Sequence, residues 1–165
     1  MTDFVDLADG GCAVAELLQR HAGESGAVVL GVVPNGIPGA LVVARALRLP
    51  LLGIEVEHDH GGISAIRLPD LTVVTRVIVV DDAVETGTAA TAIGRALREA
   101  APQAFLTLAV PVCPREASAT LDLLFDAVVA VVRPLVRRSL TWHYEAFAPV
   151  ERADALALIA SHSAD

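Results

Sequence analysis

The segment Val77-Ile78-Val79-Val80-Asp81-Asp82-Ala83-Val84-Glu85-Thr86-Gly87-Thr88-Ala89-Ala90 holds the densest chemistry of the chain. Four apolar residues end in two carboxylates, and a run of small residues follows. The apolar run reads as a strand buried on both faces. The small residues lead into a helical pattern over residues 86–100. The N-terminus of a helix presents unpaired N–H groups and a partial positive charge, and both attract an anion such as phosphate. Gly87 lets the backbone approach a ligand, and Thr86 and Thr88 add hydroxyl donors. Asp81 and Asp82 can accept hydrogen bonds from sugar hydroxyls, or sit beside a magnesium ion. Phosphate and diol recognition on one short segment fits a ribose 5-phosphate. Taken singly, the acids could merely end a strand and Thr86 merely cap a helix; together they favour a ligand site.

The elements that must position this segment alternate between strand and helix. Helices are predicted at residues 9–21, from Pro38 to about Leu47, at 86–100, at 114–123 and at 151–160. Strands are predicted at 27–33, 51–56, 77–80, 105–110 and 127–132. Pro34-Asn35-Gly36 is a turn cluster, and Pro38 suits the first turn of a helix. His58-Asp59-His60-Gly61-Gly62 reads as a loop with a short extended return over 63–68. Alternation of this kind predicts a single α/β domain over 1–165, a parallel sheet with helices on both faces. Such sheets bind ligands beyond the carboxyl ends of their strands. Residues 134–150 are irregular and hold the only Trp and the only Tyr, and they read as a small C-terminal hood joined by the N-terminal segment.

Composition narrows the function classes. The 165 residues are 54% hydrophobic with a formal net charge of −8, which argues against nucleic acid as a partner. No apolar block is long enough for a membrane span. All twelve basic residues are Arg, and the absence of Lys excludes a P-loop NTPase, a Schiff base or a receiver-type phosphoacceptor site. Arg137-Arg138 reads as a solvated surface pair. Cys12 and Cys113 are too few and too far apart for a disulfide framework and read as two buried thiols. With no basic region before an apolar stretch at the N-terminus, the expected compartment is the reducing cytoplasm.

The 77–90 segment resembles the signature of the type I phosphoribosyltransferases: four apolar residues, two acids, two mostly apolar residues, a variable residue, then Thr-Gly. The resemblance implies that Asp81 and Asp82 hold the ribose hydroxyls of phosphoribosyl diphosphate. It implies that Thr86, Gly87, Thr88, Ala89 and Ala90 cradle the 5-phosphate. It extends to Phe4-Val5-Asp6 with Gly11, to Gly31–Ala40 on a pyrophosphate loop centred on Pro34, Asn35 and Gly36, and to Trp142–Phe147 as a closing aromatic motif. It implies a phosphoribosyl diphosphate and magnesium requirement, a nucleobase acceptor and a homodimer. Glu85 holds the variable position, where it is either a general base or a solvated loop carboxylate. Trp142 and Tyr144 either stack on a planar base or pack within the hood.

Three departures from the family pattern bear on chemistry, and that at Ala89 matters least because backbone N–H groups do most of the phosphate binding. Pro34 stands where the pyrophosphate loop usually carries a basic residue, and many members carry a hydroxyl residue where Ala89 stands. The mobile loop is cut down to about 57–68, with Arg67 its only cationic side chain. A catalytically impaired binding protein for nucleotides or phosphoribosyl diphosphate is therefore the alternative to an enzyme. A cis bond is expected at Val33–Pro34: the family often has one there, and cis costs only about 0.5–1 kcal/mol before proline. His58-Asp59-His60 lacks a third ligand at metal-site spacing and reads as a flexible loop.

Overall fold

The computed structural model describes residues 2–163. Its elements run α1 (Leu7–Leu17), β1 (Ala27–Val33), α2 (Ile37–Leu47), β2 (Leu51–Asp59), β3 (Gly62–Arg67), β4 (Arg76–Val80), α3 (Thr88–Ala100), β5 (Phe105–Val112), α4 (Arg115–Leu121), β6 (Ala127–Val132) and α5 (Arg152–Ser163). They form one six-stranded sheet in the order β3-β2-β1-β4-β5-β6. All neighbouring strands are parallel except the β2–β3 pair. The predicted α/β architecture is therefore the observed one.

Period-two alternation splits the central strands between two cores. Val77 and Val79 of β4 face the side covered by α3 and α4, with Ile93, Leu97 and Leu121. Ile78 and Val80 face α1 and α2, with Val14, Leu18, Val43 and Leu47. A strand with no solvent face must be apolar throughout, and all four of these β4 residues are fully buried. After β1 the chain crosses to β2 on one side and later returns to β4 on the other. The carboxyl ends of β1 and β4 therefore diverge, and that crevice is where such sheets bind ligands.

Three local expectations change. The first helix stops at Leu17 and continues only as a 3-10 turn at Gln19–His21. The expected 58–62 loop is mostly strand. β2 runs to Asp59, turns through His60 and Gly61, and returns as β3, with a register shift at Glu57/His58. Cys12 is exposed, because it lies on the outer side of α1, whereas Cys113 is buried as expected.

Helices α1 and α2 cross at glycines. A Cβ on Gly11 would lie 2.6 Å from the Cα of Gly39 and 2.7 Å from its carbonyl oxygen. Backbone cannot swing aside as a side chain can. Gly11→Ala is expected to lose about 2 kcal/mol net, the overpacking cost outweighing the better helix propensity of Ala. The urea midpoint measures this, and an unchanged midpoint would refute the close-packed crossing.

The hood forms where the N-terminal segment meets residues 143–146. Phe4 and Tyr144 make a parallel bridge. The N–H groups of Asp3 and Phe4 donate to the His143 carbonyl, and those of Glu145 and Ala146 donate to Phe4 and Val5. His143 Nδ1 and Asp3 Oδ2 lie 2.6 Å apart.

Candidate functional site

Asp81 and Asp82 follow the last residue of β4 and are half-buried at the divergence of the sheet. Each carboxylate folds back on local backbone. The Asp82 N–H donates to Asp81 Oδ1 at 2.8 Å, and the Ala83 N–H donates to Asp82 Oδ1 at 2.7 Å. Burial pushes the Asp81 carboxyl well above its ordinary range, with the neighbouring Asp82 charge adding to it. Burial also raises Asp82, against hydrogen bonds that favour its charged form. The two desolvated acids lie side by side, and among the described residues no Arg or His forms an ion pair with either.

The chain then turns into α3. Gly87 caps the helix at φ 86°, a left-handed conformation that a side chain would strain. Its carbonyl accepts from the Thr91 N–H. The Thr88 N–H donates to Thr86 Oγ1 at 3.3 Å, and the N–H groups of Ala89 and Ala90 belong to the first turn of α3, where a helix leaves its donors without intrahelical partners. Thr86 Oγ1 lies 3.1 Å from Thr88 Oγ1, in an exposed pair. Residues Asp81 through Ala90 and Leu140 of the hood line one cavity of about 210 Å³. The predicted acid pair and the predicted phosphate loop are therefore brought together, and Glu85 lies exposed on the same wall.

The expected pyrophosphate loop lies against them. A Cβ on Gly36 would meet the carbonyl oxygens of Val32 and Val80 at 2.7 and 2.9 Å, and the Cα of Asp81 at 3.0 Å. The Val33–Pro34 peptide is cis. This loop offers few donors. Pro34 has no N–H. The Gly36 N–H goes to Val32 O at 2.8 Å and the Ile37 N–H to Pro34 O at 3.2 Å. The side chain of Asn35 accepts from the Val150 N–H at 2.8 Å, so it tethers the hood.

The other predicted site residues are placed differently. Tyr144 is buried at 3% exposure, so its ring has no free face for a base. It packs on Phe4 and Phe147, with centroids 5.6 and 5.8 Å away. Trp142 is 63% exposed, and the Arg138 guanidinium lies 5.1 Å over its ring. It lines a separate cavity of about 570 Å³ with Asp3, Leu135 and His143, away from the acid pair. Arg138 is thus stacked rather than merely solvated. Arg67 is ion-paired to Glu57 across the β2–β3 hairpin. His58 and His60 sit exposed at the end of that hairpin, and no group of three or more His, Cys, Asp or Glu able to hold a metal occurs among the described residues.

Sequence reasoning missed two features. Leu140 is the hood residue that reaches the acid-pair cavity, yet nothing in its local pattern marks it. Thr86, Gly87 and Thr88 also border a cavity of about 490 Å³ that passes Thr91 to Arg95. The spacing 88, 91, 95 on one helical face was the available signal.

A six-stranded, largely parallel sheet with an acid pair and a small-residue loop at its switch point has the fold of the type I phosphoribosyltransferases. Solved structures bear this out. The TT1426 protein from Thermus thermophilus superposes with a TM-score of 0.80 at 23% identity, over 98% of this chain and 99% of that one. The purine phosphoribosyltransferase from Pyrococcus horikoshii matches with a TM-score of 0.60 at 22% identity, over 91% and 98%. A hypothetical protein from Neisseria gonorrhoeae with bound ppGpp matches with a TM-score of 0.55 at 12% identity, over 98% of each chain. No protein-family model matches the sequence. No helix among the described residues is long and apolar enough to cross a membrane.

Proposed function

We propose that this protein binds phosphoribosyl diphosphate and transfers its ribose 5-phosphate to a ring nitrogen of a nucleobase. The observation that carries the reading is the single cavity shared by Asp81, Asp82 and the helix-capping loop Thr86–Ala90 at the switch point of the sheet. In this reading the loop N–H groups hold the 5-phosphate and the two carboxylates hold the ribose hydroxyls. The bond from the sugar carbon to the diphosphate breaks, a carbon–nitrogen bond forms, and pyrophosphate leaves. The cationic sugar carbon that develops is stabilised by the buried carboxylates nearby. Glu85 is exposed on the cavity wall, where it can take the proton that the nitrogen releases.

Magnesium fits this donor set as a passenger of the ligand. Two desolvated carboxylates favour a cation, but the described residues form no metal cluster of their own, so the oxygens of the diphosphate would complete its shell. When bound, the ion would neutralise charge on the diphosphate.

A second reading is a nucleotide-binding sensor without turnover. It is favoured by the sparse donors of the Pro34–Gly36 loop and by the Glu57 partner of Arg67. The Neisseria protein with bound ppGpp is a fold relative that carries a nucleotide. Both readings require the ribose-phosphate site. Calorimetric titration with phosphoribosyl diphosphate and with nucleoside monophosphates, in the presence of magnesium, is expected to give saturable one-to-one binding for both ligand types, at similar affinity. The absence of binding by either would overturn the site.

A further inference from the structure

We propose that Tyr144 is a positioning residue for the acid pair: its hydroxyl, delivered by the hood, fixes the peptide group that orients the Asp82 carboxylate. The proposal rests on the reading that this carboxylate holds ribose hydroxyls.

The geometry is specific. Tyr144 Oη donates to the carbonyl oxygen of Asp82 at 2.5 Å, across 62 positions of sequence. That oxygen belongs to the same peptide unit as the Ala83 N–H, which donates to Asp82 Oδ1 at 2.7 Å. The Asp82–Ala83 peptide is thus held at both ends, by the tyrosine at its oxygen and by the carboxylate at its nitrogen. If the peptide rotates, its N–H leaves the carboxylate and the carboxylate loses its orientation. The next residues are fixed separately, by the Val84 N–H donating to Val112 O at 2.8 Å. The tyrosine therefore controls one peptide without holding the strand ends together.

Everything around the hydroxyl restricts where it can go. Tyr144 is seated between Phe4 and Phe147, and its backbone bridges to Phe4. On the α1 side a Cβ at Gly10 would lie 3.2 Å from Tyr144 Oη and 2.9 Å from Pro111 Cγ. Gly10 leaves just enough room for the hydroxyl to pass. A tyrosine whose value lay in apolar packing alone would not need its oxygen threaded through this gap to a site residue.

The test compares ligands that differ by one ribose hydroxyl. Ribose 5-phosphate, 2-deoxyribose 5-phosphate and inorganic phosphate are titrated into wild type, Tyr144→Phe and Gly10→Ala. Wild type is expected to prefer ribose 5-phosphate by about tenfold, the worth of one hydrogen bond to a charged group. In Tyr144→Phe the preference is expected to fall below about threefold, while inorganic phosphate binds as before. Gly10→Ala, which crowds the same hydroxyl from the other side, is expected to show the same collapse. If Tyr144→Phe does not fold, Gly10→Ala decides by the same ratio. A preference kept intact in the variants overturns the proposal, and so does an equal weakening of all three ligands, which marks a merely structural tyrosine. A wild type that fails to distinguish the two sugars while binding phosphate overturns the acid-pair reading itself, and this inference with it.

Discussion

Replacing Asp81 and Asp82 together with Asn is expected to weaken ribose 5-phosphate binding by at least about 100-fold and to raise the melting temperature of the ligand-free protein at neutral pH. The first effect follows from losing two charged acceptors, each hydrogen bond to a charged group being worth about 1.5–3 kcal/mol. The backbone around them survives, because an amide oxygen can still accept from the N–H groups of residue 82 and Ala83. The second effect follows from burial. Both carboxyls are raised above their ordinary value of 3.8 in the folded protein. Between that value and the raised ones, the folded state binds more protons than the unfolded state. The pair's contribution to stability therefore falls as pH rises through this window and stays unfavourable at neutral pH. Asn carries no such penalty. The stability gain of the variant should be largest at neutral pH and disappear as pH falls to about 4. Melting curves over this range, with calorimetry at neutral pH, measure both effects. Undiminished affinity would refute the site; a variant less stable at neutral pH would refute the desolvated state of the pair.

The second large effect concerns turnover. With phosphoribosyl diphosphate, magnesium and each common nucleobase, pyrophosphate release is expected at least about 100-fold below the typical enzyme median of about 10 per second. One preorganised donor to a developing negative charge is worth about 100- to 1,000-fold in rate. The loop that should face the departing pyrophosphate has Pro34 in place of a cation and spends the Gly36 and Ile37 N–H groups internally. Arg67 is committed to Glu57 on the hairpin. Affinity resides in the ribose 5-phosphate half and should persist. A rate near the median on any base would overturn this and would require a cation from elsewhere, such as a second subunit.

The parts of this molecule that could be read from its sequence are those with local signatures. The runs 27–33 and 77–80 have no polar interruption because helices cover the sheet on both sides of them, and their expected and observed ends agree closely, as do those of the half-buried edge strand at 127–132. The acid pair and the loop after it were legible because strand end, small-residue loop and helix start are contiguous in the chain. The β2–β3 hairpin was legible in its strand at 51–56 and its extended return over 63–68, but not at its tip, which is an exposed edge: Glu57, His58 and Asp59 follow one another with nothing apolar to reveal a strand. The role of Tyr144 was invisible for a different reason. An aromatic residue that stacks on a ligand and one that reaches a backbone carbonyl 62 positions away have the same local sequence. Cys12 was misplaced because a cysteine on a helix is buried or exposed according to which neighbour that helix meets.

The close approach of Gly36 to the end of β4 leaves position 36 no freedom to vary. A Cβ there would lie 2.9 Å from the Val80 carbonyl oxygen and 3.0 Å from the Asp81 Cα, so any residue but glycine must push aside either its own loop or the strand end that carries the acids. A chain that keeps this sheet end keeps a glycine here, whatever chemistry the neighbouring residues perform.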